Sequence, residues 1–277
     1  MDAPRLFDTE ALALRRTRAA RSPADFLLRH VATELMDRLA LVKRRFAHSA
    51  DIEPLSPLLA ETIRPALENP CRPVMLGPDG GLGLPRASLD LAVSALSLQF
   101  VNDLPGLFAQ VRQALRPDGL FLAALAGGAT LQELRQAFTA AEIETEGGIS
   151  PRVAPFADVR DLGALLQRAG LALPVTDTEI LTVRYDNAFA LMADLRAMGA
   201  TNVLAERRRS FTRRATLLRM AELYQQRFAD ADGRIRATFE IVWISGWAPD
   251  ESQQKPLKPG SAKMRLAEAL AVPEQKG

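Results

Sequence analysis

The chain holds a single cysteine, Cys71. One thiol excludes an internal disulfide framework and any thiolate metal cluster. The two histidines, His30 and His48, are too few for a multi-histidine metal site. No apolar run is long enough to span a bilayer. No basic start leads into an apolar core and a cleavage site, so no secretory signal is expected. Lys and Arg number 35 against 33 Asp and Glu, and this net charge of +2 offers no argument for nucleic acid as a partner. Glycine is absent before Gly77, which denies the preceding stretch its usual source of left-handed turns. A cytoplasmic protein is expected. Its 277 residues, 48% of them apolar, can bury one large core, or one core with an added lobe.

What is present is organised around residues 89–128. Residues 89–96 form an almost unbroken apolar run, the pattern of a strand buried on both faces of a parallel sheet. Asp103 can cap the next helix, in which Leu104, Leu107, Phe108, Val111 and Leu115 share one face. Arg116-Pro117-Asp118-Gly119 stops that helix, because proline cannot continue it and Asp-Gly favours a turn. A second buried run, residues 120–125, ends at Gly127-Gly128. Strand, helix and strand of this length make one right-handed crossover, so the fold class is α/β.

Upstream, residues 8–21 read as a helix whose arginines, Arg15, Arg16, Arg18 and Arg21, form a solvated face. Ser22 and Pro23 start a second helix with an apolar stripe through Leu27, Val31, Leu35 and Leu39. His30 borders that stripe as a packed or surface residue. Downstream, Thr130 and Glu133 have the spacing of a capping box. Glu142, Glu144 and Glu146 precede Gly147-Gly148, either as an acidic helix end or as a loop that recognises a basic group. Residues 158–169 read as a helix closed by Gly170, and residues 174–185 as a strand. A helix over 187–198 and another through Leu217, Met220, Tyr224 and Phe228 follow. Arg207-Arg208-Arg209 and Arg213-Arg214 flank the turn between them; such a cluster could bind phosphate, but with no interleaved aromatic beyond Phe211 a solvated face is expected. Residues 235–247 are apolar on both faces and form an interior strand.

The central unit resembles the later half of the Rossmann-like core of S-adenosylmethionine (SAM) methyltransferases, through Ser94-Ala95-Leu96 and Leu115-Arg116-Pro117-Asp118-Gly119. The longer string Ser94-Ala95-Leu96-Ser97-Leu98-Gln99-Phe100-Val101-Asn102-Asp103-Leu104-Pro105 is similar to the mitochondrial complex I assembly factor five family and its bacterial relatives. Matches continue through Gly127-Gly128-Ala129-Thr130-Leu131, Glu146-Gly147-Gly148-Ile149-Ser150-Pro151 and Met198-Gly199-Ala200-Thr201-Asn202. The resemblance implies a reduced class I SAM-methyltransferase fold, mostly parallel with an antiparallel last strand. It implies a helical extension over 1–47, a methyltransferase-like domain over 48–250 with a helical insertion near 187–230, and a polar tail over 251–277.

In that family fold the first strand ends in an acid and a glycine-rich turn. The matching segment here is Ser49-Ala50-Asp51-Ile52-Glu53-Pro54-Leu55-Ser56-Pro57. Asp51 keeps the acid, but the glycines are gone, and Pro54 and Pro57 lack N–H donors. The second strand looks deleted, and Arg72-Pro73-Val74-Met75-Leu76 is the next candidate. Asp79-Gly80-Gly81-Leu82-Gly83 imitates a nucleotide motif, but Leu84-Pro85-Arg86 follows instead of a helix, so a plain loop is expected. By resemblance, the cofactor contacts are Asp51, Asp79, Ser94, Ala95 and Leu96. The substrate contacts are Gln99, Asn102, Gly128, Thr130, Glu146 and Ser150. SAM is the implied cofactor, and the missing glycines predict weak or absent binding. The implied partner is a protein, a respiratory complex I subunit whose arginine the relatives hydroxylate. The degenerate loop favours a binding or assembly factor, with an active SAM-dependent methyltransferase on a protein or small molecule as the alternative.

Overall fold

The computed structural model describes residues 5–254, so the expected tail lies outside the described residues from position 255 onward. Two helices come first, α1 (Thr9–Ala19) and α2 (Phe26–Ala40). Strand β1 (Ser49–Ile52) and the short helix α3 (Leu58–Thr62) lead to strand β2 (Arg72–Val74). The central crossover follows as β3 (Leu89–Ala95), α4 (Leu104–Ala114) and β4 (Leu115–Ala126). Then come α5 (Gln132–Glu146), α6 (Val159–Arg168) and β5 (Ala172–Tyr185). Helices α7 (Ala188–Ala197) and α8 (Arg214–Phe228) separate β5 from β6 (Ile235–Trp247).

The strands form a single six-stranded sheet in the order β2-β1-β3-β4-β6-β5. The first four run parallel, and β6 alone runs against its neighbours β4 and β5. Both faces of the centre are covered, which the apolar runs demand. Successive side chains point to opposite faces. Leu91, Val93 and Ala95 pack with α2, α5 and α8 on one side. Ala92, Phe121 and Ala123 pack with α4 and α6 on the other. Trp243 of β6 is among the largest fully buried side chains, as an interior strand requires.

Four local expectations change. The second strand is present: β2 pairs in parallel with β1 through Ala50–Arg72, Asp51–Pro73 and Ile52–Val74. It is the strand expected at residues 72–76, shortened to three residues, in an edge position that tolerates proline. Second, residues 116–119 bulge from β4 rather than precede it, with Asp118 at φ 58°. Third, Asp25 rather than Ser22 sits at the N-cap of α2, and its side chain makes no capping bond. Fourth, Thr130 and Glu133 form no capping box. Leu131 occupies the cap at φ 56°, while Thr130 exchanges hydrogen bonds with the Glu240 backbone at 3.1 Å. Glu133 reaches Thr238 instead. Both side chains satisfy the backbone of the neighbouring strand, which is buried and cannot use water.

Candidate functional site

The carboxyl ends of β1, β3 and β4 converge beneath α1 and the start of α2. Open α/β sheets bind ligands at this end. Asp51 sits in β1, 2% exposed, with one carboxylate oxygen unpartnered among the described residues. Burial pushes its carboxyl up to about 7. Ser94 Oγ donates to the Ile52 carbonyl at 2.7 Å and ties β3 to β1. Ala95 is buried at the end of β3, and Leu96 turns the chain at φ 54°.

Glu53 stands where the turn after β1 needs a left-handed residue. It takes φ 56°, a conformation normally given to glycine. Its backbone N–H donates to Val74 O at 2.8 Å, so the turn closes onto β2. Its carboxylate then accepts the Leu76 N–H at 2.6 Å and pairs with the Arg16 guanidinium at 3.1 Å. These side chains are 13% and 18% exposed, so the pair is largely withdrawn from water. Arg16 comes from α1, far from β1 in sequence. The solvated arginine face expected of α1 is therefore only partly so: Arg16 turns inward, while Arg18 and Arg21 stay exposed.

A cavity of about 240 Å³ remains between α1, α2 and the strand ends. Its walls include Leu96, Gln99 and Thr130 from the expected site, together with Arg16 and Leu55. No glycine follows β1, an ion pair occupies the turn there, and Met75-Leu76, with no acid, follow β2. The cavity is also below the roughly 300–1,000 Å³ usual for ligand pockets.

The remaining expected residues scatter. Asp79 accepts the Gly81 N–H at 3.1 Å inside a loop pinned by Gln110, and does not line the cavity. Asn102 clamps the backbone of Phe7, accepting its N–H at 2.8 Å and donating to its carbonyl at 3.0 Å. Gly128 lies beside Phe156, with its carbonyl 3.5 Å from the Arg135 guanidinium. Glu146 pairs with Arg208 and accepts the Thr216 hydroxyl at 2.8 Å. Ser150 donates its N–H and hydroxyl to Glu142 at 2.7 and 2.6 Å, and Arg152 Nε binds the same carboxylate at 2.8 Å. These acids do face guanidinium groups, but the groups belong to this chain. The sequence reasoning missed Arg16 and Glu53. An acid directly after the strand, in place of glycine, was the available signal for Glu53. Nothing local pointed to Arg16.

Among the described residues, no group of acidic, histidine and cysteine side chains could hold a metal, and no helix is long and apolar enough to cross a membrane.

Residues 40–123 match the family described as "Methyltransferase domain". Among solved structures, the YcgJ protein of Bacillus subtilis is similar in fold, with a TM-score of 0.52 at 13% identity, over 80% of this chain and 99% of that one. The protein "Arginine-hydroxylase NDUFAF5, mitochondrial" of Dictyostelium discoideum is 47% identical over 187 residues, which are 67% of this chain and 43% of that protein. Its human counterpart is 35% identical over an alignment of 286 positions, which covers 95% of this chain and 83% of that protein. Similarity of this extent includes the β3–α4–β4 core, the N-terminal helices and the closing strand, and the chain belongs to the NDUFAF5 family, on a class I SAM-methyltransferase fold.

Proposed function

We propose that this chain is a protein-binding assembly factor that works without SAM. The Arg16–Glu53 pair in the turn after β1 is the observation that carries this reading. It fills with the chain's own charges the place where methyltransferases bring backbone to the cofactor. The partner class follows from the family: a protein that presents an arginine, and a respiratory complex I subunit on the resemblance given above. A cytoplasmic location belongs to the same proposal.

The test is affinity purification of the tagged, full-length chain from its own cells, with mass spectrometry of every co-purifying complex I subunit. The expected result is a captured subunit whose arginines carry the same masses with and without this chain. An arginine oxygenated or methylated only when the chain is present makes it an enzyme.

A second reading, an active SAM-dependent methyltransferase, draws on Asp51. That acid keeps its position near the strand end and, among the described residues, has an oxygen without a partner.

A further inference from the structure

A second cavity, of about 700 Å³, lies beside the first. Phe100, Leu131, Phe156, Leu195 and Ala200 form the wall shared by the two. Six arginines line it: Arg15, Arg152, Arg196, Arg207, Arg208 and Arg209. Three acids answer them. Asp8 pairs with Arg207 at 2.8 Å and lies 4.0 Å from Arg209, Glu142 pairs with Arg152, and Glu146 pairs with Arg208. Six cations less three anions leave an excess of three. Among the described residues, Arg15 bonds only the Thr201 hydroxyl and Arg196 forms no ion pair. Burial first, and then the neighbouring Arg207, hold the Arg15 guanidinium below the usual arginine range.

Crowding like charges in one cleft is unfavourable unless an anion joins them. Guanidinium forks suit carboxylate and phosphate oxygens, which they bind in pairs. The rest of the lining is different in kind. Leu134, Phe138, Met192 and Leu217 supply apolar surface, and Phe211 at the rim is 100% exposed. A volume within the usual range for small ligands completes the picture.

We propose that this cleft binds a small amphiphilic anion, a carboxylate or phosphate head on an apolar body. The proposal is independent of whether SAM binds next door. Arg15 and Arg207, Arg208 and Arg209, expected from the sequence to be solvated, are brought to one cavity with Arg152 and Arg196 by α1, the α5–α6 connection, α7 and the α7–α8 connection.

The test is calorimetric titration of the full-length protein, at low salt, with octanoate, octyl phosphate, inorganic phosphate and octyltrimethylammonium. Saturable binding of octanoate or octyl phosphate is expected, and the tighter of the two identifies the head group. Inorganic phosphate should bind more weakly, and the cation not at all. The Arg196→Gln/Arg209→Gln variant should lose at least about tenfold in affinity with an unchanged melting temperature. If that variant does not fold, Arg209→Gln alone, at a side chain 75% exposed, should still weaken binding. The proposal is overturned if neither octanoate nor octyl phosphate binds, if the cation binds equally, or if the arginine variants bind as the parent does.

Discussion

Glu53→Gln removes the charge that faces Arg16 while keeping the side chain's shape and its acceptor for the Leu76 N–H. Arg16 is then left as a largely buried cation without a counter-charge. Breaking a fully buried pair costs about 3–5 kcal/mol. Here the side chains keep 18% and 13% exposure, so water reaches the orphaned guanidinium in part. A loss of about 2–3 kcal/mol is the reasonable scale. For a domain of this size that corresponds to a fall of roughly 4–12 °C in melting temperature. Arg16→Met alone leaves Glu53 unpaired and should cost a similar amount. The double variant removes both charges and should recover more than about 1 kcal/mol relative to the sum of the single losses. Thermal melts followed by circular dichroism at one pH and one salt concentration are sufficient. Single losses that simply add would mean that the pair contributes nothing, and the reasoning about the occupied turn would fail with it.

Three further outcomes are expected. Burial raises Asp51 to about 7, so the unfolded chain, with its ordinary aspartate near 3.9, releases this proton first. Stability from this group is therefore complete below about pH 4 and is lost as pH rises toward 7, by at most about 1.4 kcal/mol per pH unit; Asp51→Asn should flatten that slope in melts across the interval, and an unchanged slope would count against it. Gly127→Ala should destabilise by about 1–3 kcal/mol, because a Cβ would meet Val242 and Glu240 at 2.7 Å, whereas Gly128→Ala, whose nearest neighbour would be at 3.8 Å, should be tolerated in the same denaturant titration. Asn102→Ala removes two hydrogen bonds to Phe7, each worth about 1 kcal/mol, and should raise amide exchange at Phe7 faster than in β3; equal protection there would show that the clamp is not needed.

The sheet centre was legible because burial on two faces leaves an unmistakable composition. β3, β4 and β6 are nearly continuous apolar runs, and Asp103 and Asn187 cap their helices as the spacing predicts. β2 was legible as a strand at residues 72–76, but its place beside β1, where the second strand was thought deleted, depends on a short edge pairing that tolerates Pro73. The capping box failed for a tertiary reason: Thr130 and Glu133 were needed by the backbone of β6. Of the expected site, Leu96, Gln99 and Thr130 meet in one cavity, since all three follow strand ends of the same crossover. Glu146 drops out of it because Arg208, distant in sequence, pairs with it as Arg219 does with Glu144, and Ser150 because it is held by Glu142 beside Arg152. The inward turn of Arg16 could not be read, nor could the meeting of Arg207, Arg208 and Arg209 with Arg15, Arg152 and Arg196 in one cleft. Both depend on where α1 lands, and no local pattern records that.

The most direct measurement is a thermal shift of the purified full-length chain with SAM from micromolar to millimolar concentration. A competent site held at about 100 times its dissociation constant would stabilise the fold by roughly 2.7 kcal/mol. With Glu53 and Arg16 in the turn, no shift is predicted at millimolar SAM. A clear, saturable shift, or SAM retained through purification, would contradict this and would return Asp51 to the role of a cofactor-site acid.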